Sequence, residues 1–251
     1  MIDNLGAAIR FFLIALSLLA GLCAHGAWRA ARRPSPWPAR FSRAVLRLAG
    51  VRTRIYGLPC PGTVLFLVNH LSWLDVLLIA GHGDARLVSK AEVADWPLIG
   101  WLARLSGALF VERRRHRGLR GQAETIAARL AAGDRIALFP EGTTGDGERL
   151  LPFRPALLAA IEGAAAPAAI QPVAIDYGKN APAIAWGDES FAANAWRILS
   201  RRRRLTVDLR FLEPLDPARH DRKSAAFEAR LAISRALGAS EGPSDRLYAP
   251  Q

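Results

Sequence analysis

Cysteine is scarce in this 251-residue chain, with Cys23 and Cys60 its two thiols. They form neither a disulfide framework nor a zinc spacing, and Cys23 lies in an apolar run, so the sequence predicts a reduced compartment and no bound metal. Acidic residues are missing where basic ones crowd: Trp28 to Arg54 holds eight arginines and no Asp or Glu. Also absent are the G-x-S-x-G elbow, the G-x-x-x-x-G-K-[ST] loop, the G-x-G-x-x-G fingerprint and H-E-x-x-H. Their absence removes the usual signatures of serine hydrolases, P-loop enzymes, Rossmann oxidoreductases and zincins. No covalent nucleophile is indicated.

What is present supports one sizeable core, since 51% of the residues are hydrophobic. The net charge of +12 calls for an anionic partner, whether nucleic acid, a phospholipid surface or a phosphate-bearing substrate. With 31 Arg against 3 Lys, base composition of the coding sequence accounts for part of that excess equally well.

Residues 5–27 carry Arg10 and His25 as their only ionisable interruptions. As a helix they reach about 35 Å against a hydrocarbon core of roughly 30 Å. The uninterrupted core, 11–24, is only about 21 Å long, so spanning and shallow interfacial insertion both fit. The basic flank that follows stays cytoplasmic by the positive-inside rule and disfavours a cleaved signal. Pro34, Pro36 and Pro38 then break the chain. Beyond them Arg40, Arg43 and Arg47 alternate with Phe41, Ala44, Val45 and Leu48 at helical spacing, as in an interfacial amphipathic helix or one packed on the domain with a solvated basic face.

From Gly62 onward, β-rich runs alternate with helical stretches, which predicts an α/β fold: a mostly parallel sheet flanked by helices, behind a membrane-associated helical arm. Expected strands are 63–68, 86–89, 108–112, 135–139, 169–176, 183–186 and 205–212. Expected helices are 73–80, 119–132, 155–163, 191–200 and 224–237. Residues 1–56 are expected to form the anchoring arm, 57–237 the α/β domain and 238–251 a loosely held tail.

The most informative stretch is Val68-Asn69-His70-Leu71-Ser72-Trp73-Leu74-Asp75. On a single helix His70 and Asp75 would stand roughly 140° apart. A strand-to-helix turn brings them together, and Ser72 is a good N-cap for the apolar segment that follows. Open α/β sheets place ligand sites at such strand ends. In a base-and-acid reading His70 takes a hydroxyl proton while Asp75 fixes its tautomer. Asp75 also fits a capping box that serves helix stability alone.

Three further segments recur in order. Gly107-Ala108-Leu109-Phe110-Val111-Glu112-Arg113 ends a strand with a guanidinium, Phe139-Pro140-Glu141-Gly142-Thr143 ends another with a carboxylate, and Ile170-Gln171-Pro172-Val173-Ala174-Ile175 is a strand carrying proline. With Asn69-His70-x4-Asp75, with Ser89-Lys90 and with Pro97-Leu98-Ile99-Gly100-Trp101, this set resembles the glycerolipid acyltransferases typified by lysophosphatidate acyltransferase, over about residues 57–177. The resemblance implies acyl transfer from acyl-CoA or acyl-carrier protein, as co-substrate and with no other cofactor, to a lysolipid hydroxyl, with His70 and Asp75 as the catalytic dyad. It implies substrate binding by Asn69, Lys90, Gly107, Phe110, Arg113, Phe139, Pro140, Glu141, Gly142 and Thr143. A guanidinium at a strand end can also clamp phosphate bidentately. Glu141 fits three roles: accepting from an acceptor hydroxyl, bracing Arg113, or satisfying turn N–H groups.

One departure bears on substrate. The family usually continues Glu-Gly-Thr with arginine, whereas this chain has Thr144 followed by Gly145-Asp146-Gly147. That weakens the case for a phosphomonoester acceptor and resembles a branch that includes lyso-ornithine lipid acyltransferases. Lysophosphatidate, the commonest family substrate, is kept ahead, with lyso-ornithine lipid as the alternative. Trp96 to Trp101 is expected to be an apolar loop that dips into the bilayer, lines the acyl channel or packs in the core. Membrane lipids, the lysolipid and the acyl donor are the expected partners. Two other classes remain: a catalytically silent lipid-binding protein, against which the intact dyad argues, and a basic nucleic-acid-binding protein. No nucleic-acid motif is present and none is expected as a partner.

Overall fold

The computed structural model describes residues 4–111, 116–162 and 169–238. Two helices lead, α1 (Asn4–Ala30) and α2 (Trp37–Leu48), followed by β1 (Val51–Tyr56), β2 (Val64–Val68), α3 (Trp73–His82), β3 (Arg86–Lys90), α4 (Ile99–Leu105), β4 (Leu109–Val111), α5 (His116–Ala131) and β5 (Arg135–Leu138). A 3-10 segment (Pro155–Ile161) precedes β6 (Ala169–Asp176), the single-turn α6 (Ala181–Ile184), α7 (Phe191–Leu199), β7 (Leu205–Phe211) and α8 (Arg222–Ala236).

The strands form one seven-stranded sheet in the order β1-β7-β6-β2-β5-β3-β4. Every neighbouring pair is parallel except β6 with β7. This is the expected mostly parallel sheet, and β2 at its centre shows why it forms. All five of its residues are buried, and period-2 alternation sends Val64, Phe66 and Val68 to one face, Leu65 and Leu67 to the other. The first face packs on α2, α3 and α7 through Leu46, Leu74, Leu78 and Ile198. The second packs on α5, α8 and the 3-10 segment through Leu130, Ile233 and Leu158. Pro172 is tolerated inside the sheet because no facing group is left unpaired: its carbonyl accepts from Leu212 N (3.0 Å), and Leu212 O accepts from Gln171 Nε2 (2.9 Å).

Two elements differ from expectation. Residues 183–186 are not a strand: Pro182 suits the first turn of α6, and Trp186 N is taken by Leu71 O at 2.9 Å rather than by a ladder. The stretch 51–56, grouped by sequence with the arm, is β1. It pairs with β7 at the sheet edge, and Arg54 donates to Asp208 (2.6 Å); an arginine on alternate positions is tolerated at an edge. The tail beyond residue 238 lies outside the described residues.

The arm docks on the domain through the start of α1. Ala7 is fully buried, Arg10 donates to Leu199 O (2.6 Å) and Arg201 O (2.8 Å), and Phe11 stacks on Trp196 at 5.7 Å. Gly21 lies so close to the Trp37 indole that a Cβ there would come within 1.3 Å of it. The opposite side exposes Leu5, Ile9, Phe12, Leu16 and Leu19. Their spacing of four, three, four and three residues makes one stripe. The protein is membrane-associated through this helix.

Candidate active site

The end of β2 carries the site. Asn69 is 7% exposed and pairs with β6 in both directions: its Nδ2 donates to Ile175 O (3.0 Å), and its Oδ1 accepts from Ile175 N (2.8 Å). The side chain thus continues the β2–β6 ladder by one step and sets where the turn begins. Ser72 then caps α3, its hydroxyl accepting from Leu74 N at 3.4 Å and its own N–H donating to Asp75 Oδ2 at 2.8 Å. This is the reciprocal capping box.

The carboxylate does more than cap. Asp75, with no exposed surface, receives His70 Nδ1 (3.0 Å), Leu71 N (2.6 Å) and Ser72 N on Oδ2, and the Tyr177 hydroxyl (2.5 Å) on Oδ1. Three N–H donors converge on Oδ2 and one hydroxyl on Oδ1, so both oxygens are held in place. Asp75 therefore fixes the orientation of the imidazole. Because an ionised carboxylate only accepts, His70 Nδ1 carries the hydrogen, which leaves Nε2 as the basic nitrogen. Burial, then the Asp75 charge and the hydrogen bond to it, raise the Tyr177 phenol well above 10, so it remains a donor.

The turn is fastened from outside as well. Glu141, 3% exposed, accepts from His70 N (2.6 Å) on Oε1 and from Leu151 N (3.1 Å) on Oε2. Burial pushes its carboxyl up to about 8, against the pull of those two N–H groups; the Asp75 charge adds to the rise. Gly145 N donates to His70 O (2.9 Å), and Phe139 stacks on the imidazole at 4.1 Å. Gly142 makes the turn after β5 with φ 77°, its N–H donating to Phe139 O (3.1 Å).

The structure thus brings together His70, Asp75, Asn69, Phe139, Glu141 and Gly142. Asn69 and Glu141, expected to bind substrate, are occupied with backbone groups and hold the turn that carries His70. Pro140 is buried, its carbonyl accepting from Arg154 N (2.9 Å), while Thr143 is exposed at the turn tip. Lys90 ends β3 exposed, Gly107 makes the turn before β4 with φ 74°, and Phe110 lies under the Arg104 guanidinium at 5.7 Å. Arg113 lies outside the described residues.

Sequence reasoning missed Tyr177, which follows β6 with no motif around it, and Trp186, whose N–H holds Leu71 O. The stretch around Trp96 is also not a plain loop: a 3-10 turn (Ala91–Asp95) leads into α4. Trp96, Leu98 and Trp101 remain 37%, 54% and 45% exposed, which excludes core packing. Trp96 and Phe191 close with Trp186 into an aromatic cluster beside the turn.

An imidazole held by a buried carboxylate thus stands at the carboxyl end of a parallel strand, an arrangement able to activate a hydroxyl. Residues 52–176 match the family described as Acyltransferase. The lyso-ornithine lipid O-acyltransferase of Brucella abortus is 40% identical over 75% of this chain and 77% of its own. That of Rhodobacter capsulatus is 36% identical over 88% and 87%. The crystal structure of the 1-acyl-sn-glycerophosphate acyltransferase PlsC from Thermotoga maritima shares the fold, with a TM-score of 0.66 at 20% identity over 99% of this chain and 97% of that one. The chain belongs to the glycerolipid acyltransferase family related to PlsC. It transfers an acyl group from an acyl donor to a lysolipid acceptor.

Proposed function

We propose that the acceptor is lyso-ornithine lipid, the alternative that the sequence placed second to lysophosphatidate. His70 Nε2 takes the proton of the lysolipid hydroxyl, and the oxygen attacks the thioester carbonyl of acyl-CoA or acyl-carrier protein. Collapse of the tetrahedral intermediate expels the thiolate, which recovers the proton from the imidazolium. Asp75 and Tyr177 hold the ring through this cycle. The eight arginines of 29–54 support a domain lying on the cytoplasmic face, by the positive-inside rule.

The observation that carries the acceptor reading is at Thr144. Where the family usually supplies arginine, the Thr144 hydroxyl donates to Trp186 O at 2.6 Å. This position braces the turn and offers no cation to a phosphomonoester. An ornithine headgroup carries an ammonium and a carboxylate and no phosphate. The two relatives at 36% and 40% identity carry the same activity in their names. The test is thiol release by purified protein with acyl thioesters and a lysolipid panel. Turnover is expected with lyso-ornithine lipid and little with lysophosphatidate, and the reverse ranking overturns the assignment.

A further inference from the structure

A second concave site lies at the other end of α3, about 10 Å along its axis from Asp75. Arg43 and Arg47 of α2, Arg52 of β1, Arg204 before β7 and His82 line a cavity of about 470 Å³. It shares no residue with the hydrogen-bond network of the dyad. No carboxylate lines it, and among the described residues none of the four arginines forms an ion pair. Arg43 is held in place by donating to Gly81 O at 2.5 Å. Burial, then the charges of Arg43 and Arg47, lower the His82 pKa.

The carboxyl ends of α2 and α3 contribute roughly half a negative charge each. Against four guanidinium groups the cavity stays strongly positive. Like charges gathered without counter-charges repel unless an anion joins them, and arginine forks match phosphate oxygens in pairs.

We propose that this cavity is a second ligand site, separate from the dyad, for a phosphate-bearing anion. Gly50, which also lines it, lies against Arg10 of α1, a Cβ there standing 3.8 Å from Nη2. Headgroup phosphates of a bilayer bound by α1 and free phosphate compounds offer the same oxygens to these arginines. The inference does not depend on which lysolipid the dyad acylates.

The test uses the full chain and a triple variant, Arg47→Ala with Arg52→Ala and Arg204→Ala. A charge-matched control carries Arg219→Ala, Arg222→Ala and Lys223→Ala near the start of α8. Two probes separate the sources: phosphatidylcholine vesicles with or without phosphatidylglycerol, read by flotation, and inorganic pyrophosphate, read by the NMR signals of the His82 ring. The affinity gained from phosphatidylglycerol is expected to fall on the order of 100-fold in the cavity variant, and far less in the control. The pyrophosphate response of His82 is expected to vanish in the cavity variant alone. A response in only one arm supports the site and assigns its source. Equal losses in cavity variant and control overturn the proposal. So do His82 signals of the wild-type protein that neither pyrophosphate nor phosphatidylglycerol moves, a readout that needs no variant to fold.

Discussion

The turn between β2 and α3 and the arm formed by α1 and α2 solve opposite problems. At the turn the two buried carboxylates are held on both oxygens: Asp75 has four donors, and Glu141 has a backbone N–H on each oxygen. The arm instead leaves a stripe of large apolar side chains exposed on α1 and follows it in sequence with arginines. The difference follows from the medium each must meet. A general base needs one geometry held in low dielectric, where an unsatisfied group is costly. A membrane-facing helix needs apolar area and cations that complete their contacts only against lipid. Rigidity belongs to the chemistry and incompleteness to the surface.

The sharpest break is at the turn itself. His70→Ala removes the base and is expected to lower thiol release by roughly 10²- to 10⁴-fold. The protein should remain folded, since Asp75 Oδ2 keeps the Leu71 and Ser72 N–H donors and the imidazole is part of neither core. Unchanged turnover would remove the dyad from the mechanism.

Next in size is the pH dependence stored in Glu141. Its carboxyl is raised from 4.5 to about 8 in the fold, so the folded protein keeps a proton that the unfolded chain releases. The stability tied to this group is fully present below about pH 4.5 and is lost as pH rises through 8. Glu141→Gln cannot ionise. Its denaturant-unfolding free energy should therefore fall with pH less steeply than that of the wild type, by a few kcal/mol across this window. Parallel curves would mean that the two N–H donors outweigh burial.

Tyr177→Phe tests whether fastening matters as much as the base. Losing the phenol leaves Asp75 Oδ1 buried without its donor, which costs about 1–3 kcal/mol of stability. A positioning role predicts kcat lowered about tenfold with KM unchanged, a split that a purely structural loss would not give.

Much of this was legible in the sequence. Period-2 and helical patterns placed six strands of the sheet, because β2, β5 and β6 bury both faces and read as continuous apolar runs. The dyad was legible because a capping signal and a strand end abut at Ser72. β1 was hidden by Arg52 and Arg54, whose charge matches that of the arm. Tyr177 was hidden because its bond to Asp75 spans 102 positions, and local pattern carries no trace of such a pairing. The role of Glu141 was a choice among three that only the coordinates of Leu151 and His70 could decide.

The smallest effect bears on whether the arm belongs to the domain or merely tethers it. Phe11 and Trp196 stack with an interplanar angle of 19°, and such pairs contribute about 0.5–1.5 kcal/mol beyond their area. Each side chain is also partly exposed, so either truncation alone mixes lost stacking with altered contact to the surrounding medium. A double-mutant cycle of Phe11→Ala and Trp196→Ala, read by unfolding in detergent micelles, separates the two. Coupling within that range shows α1 docked on α7 in an apolar medium, where no hydrophobic force drives it there. Zero coupling would leave the Arg10 bonds to Leu199 and Arg201 as the attachment and make the arm a tether, with the contrast between a finished turn and an unfinished surface beginning at residue 11 rather than at the outer stripe.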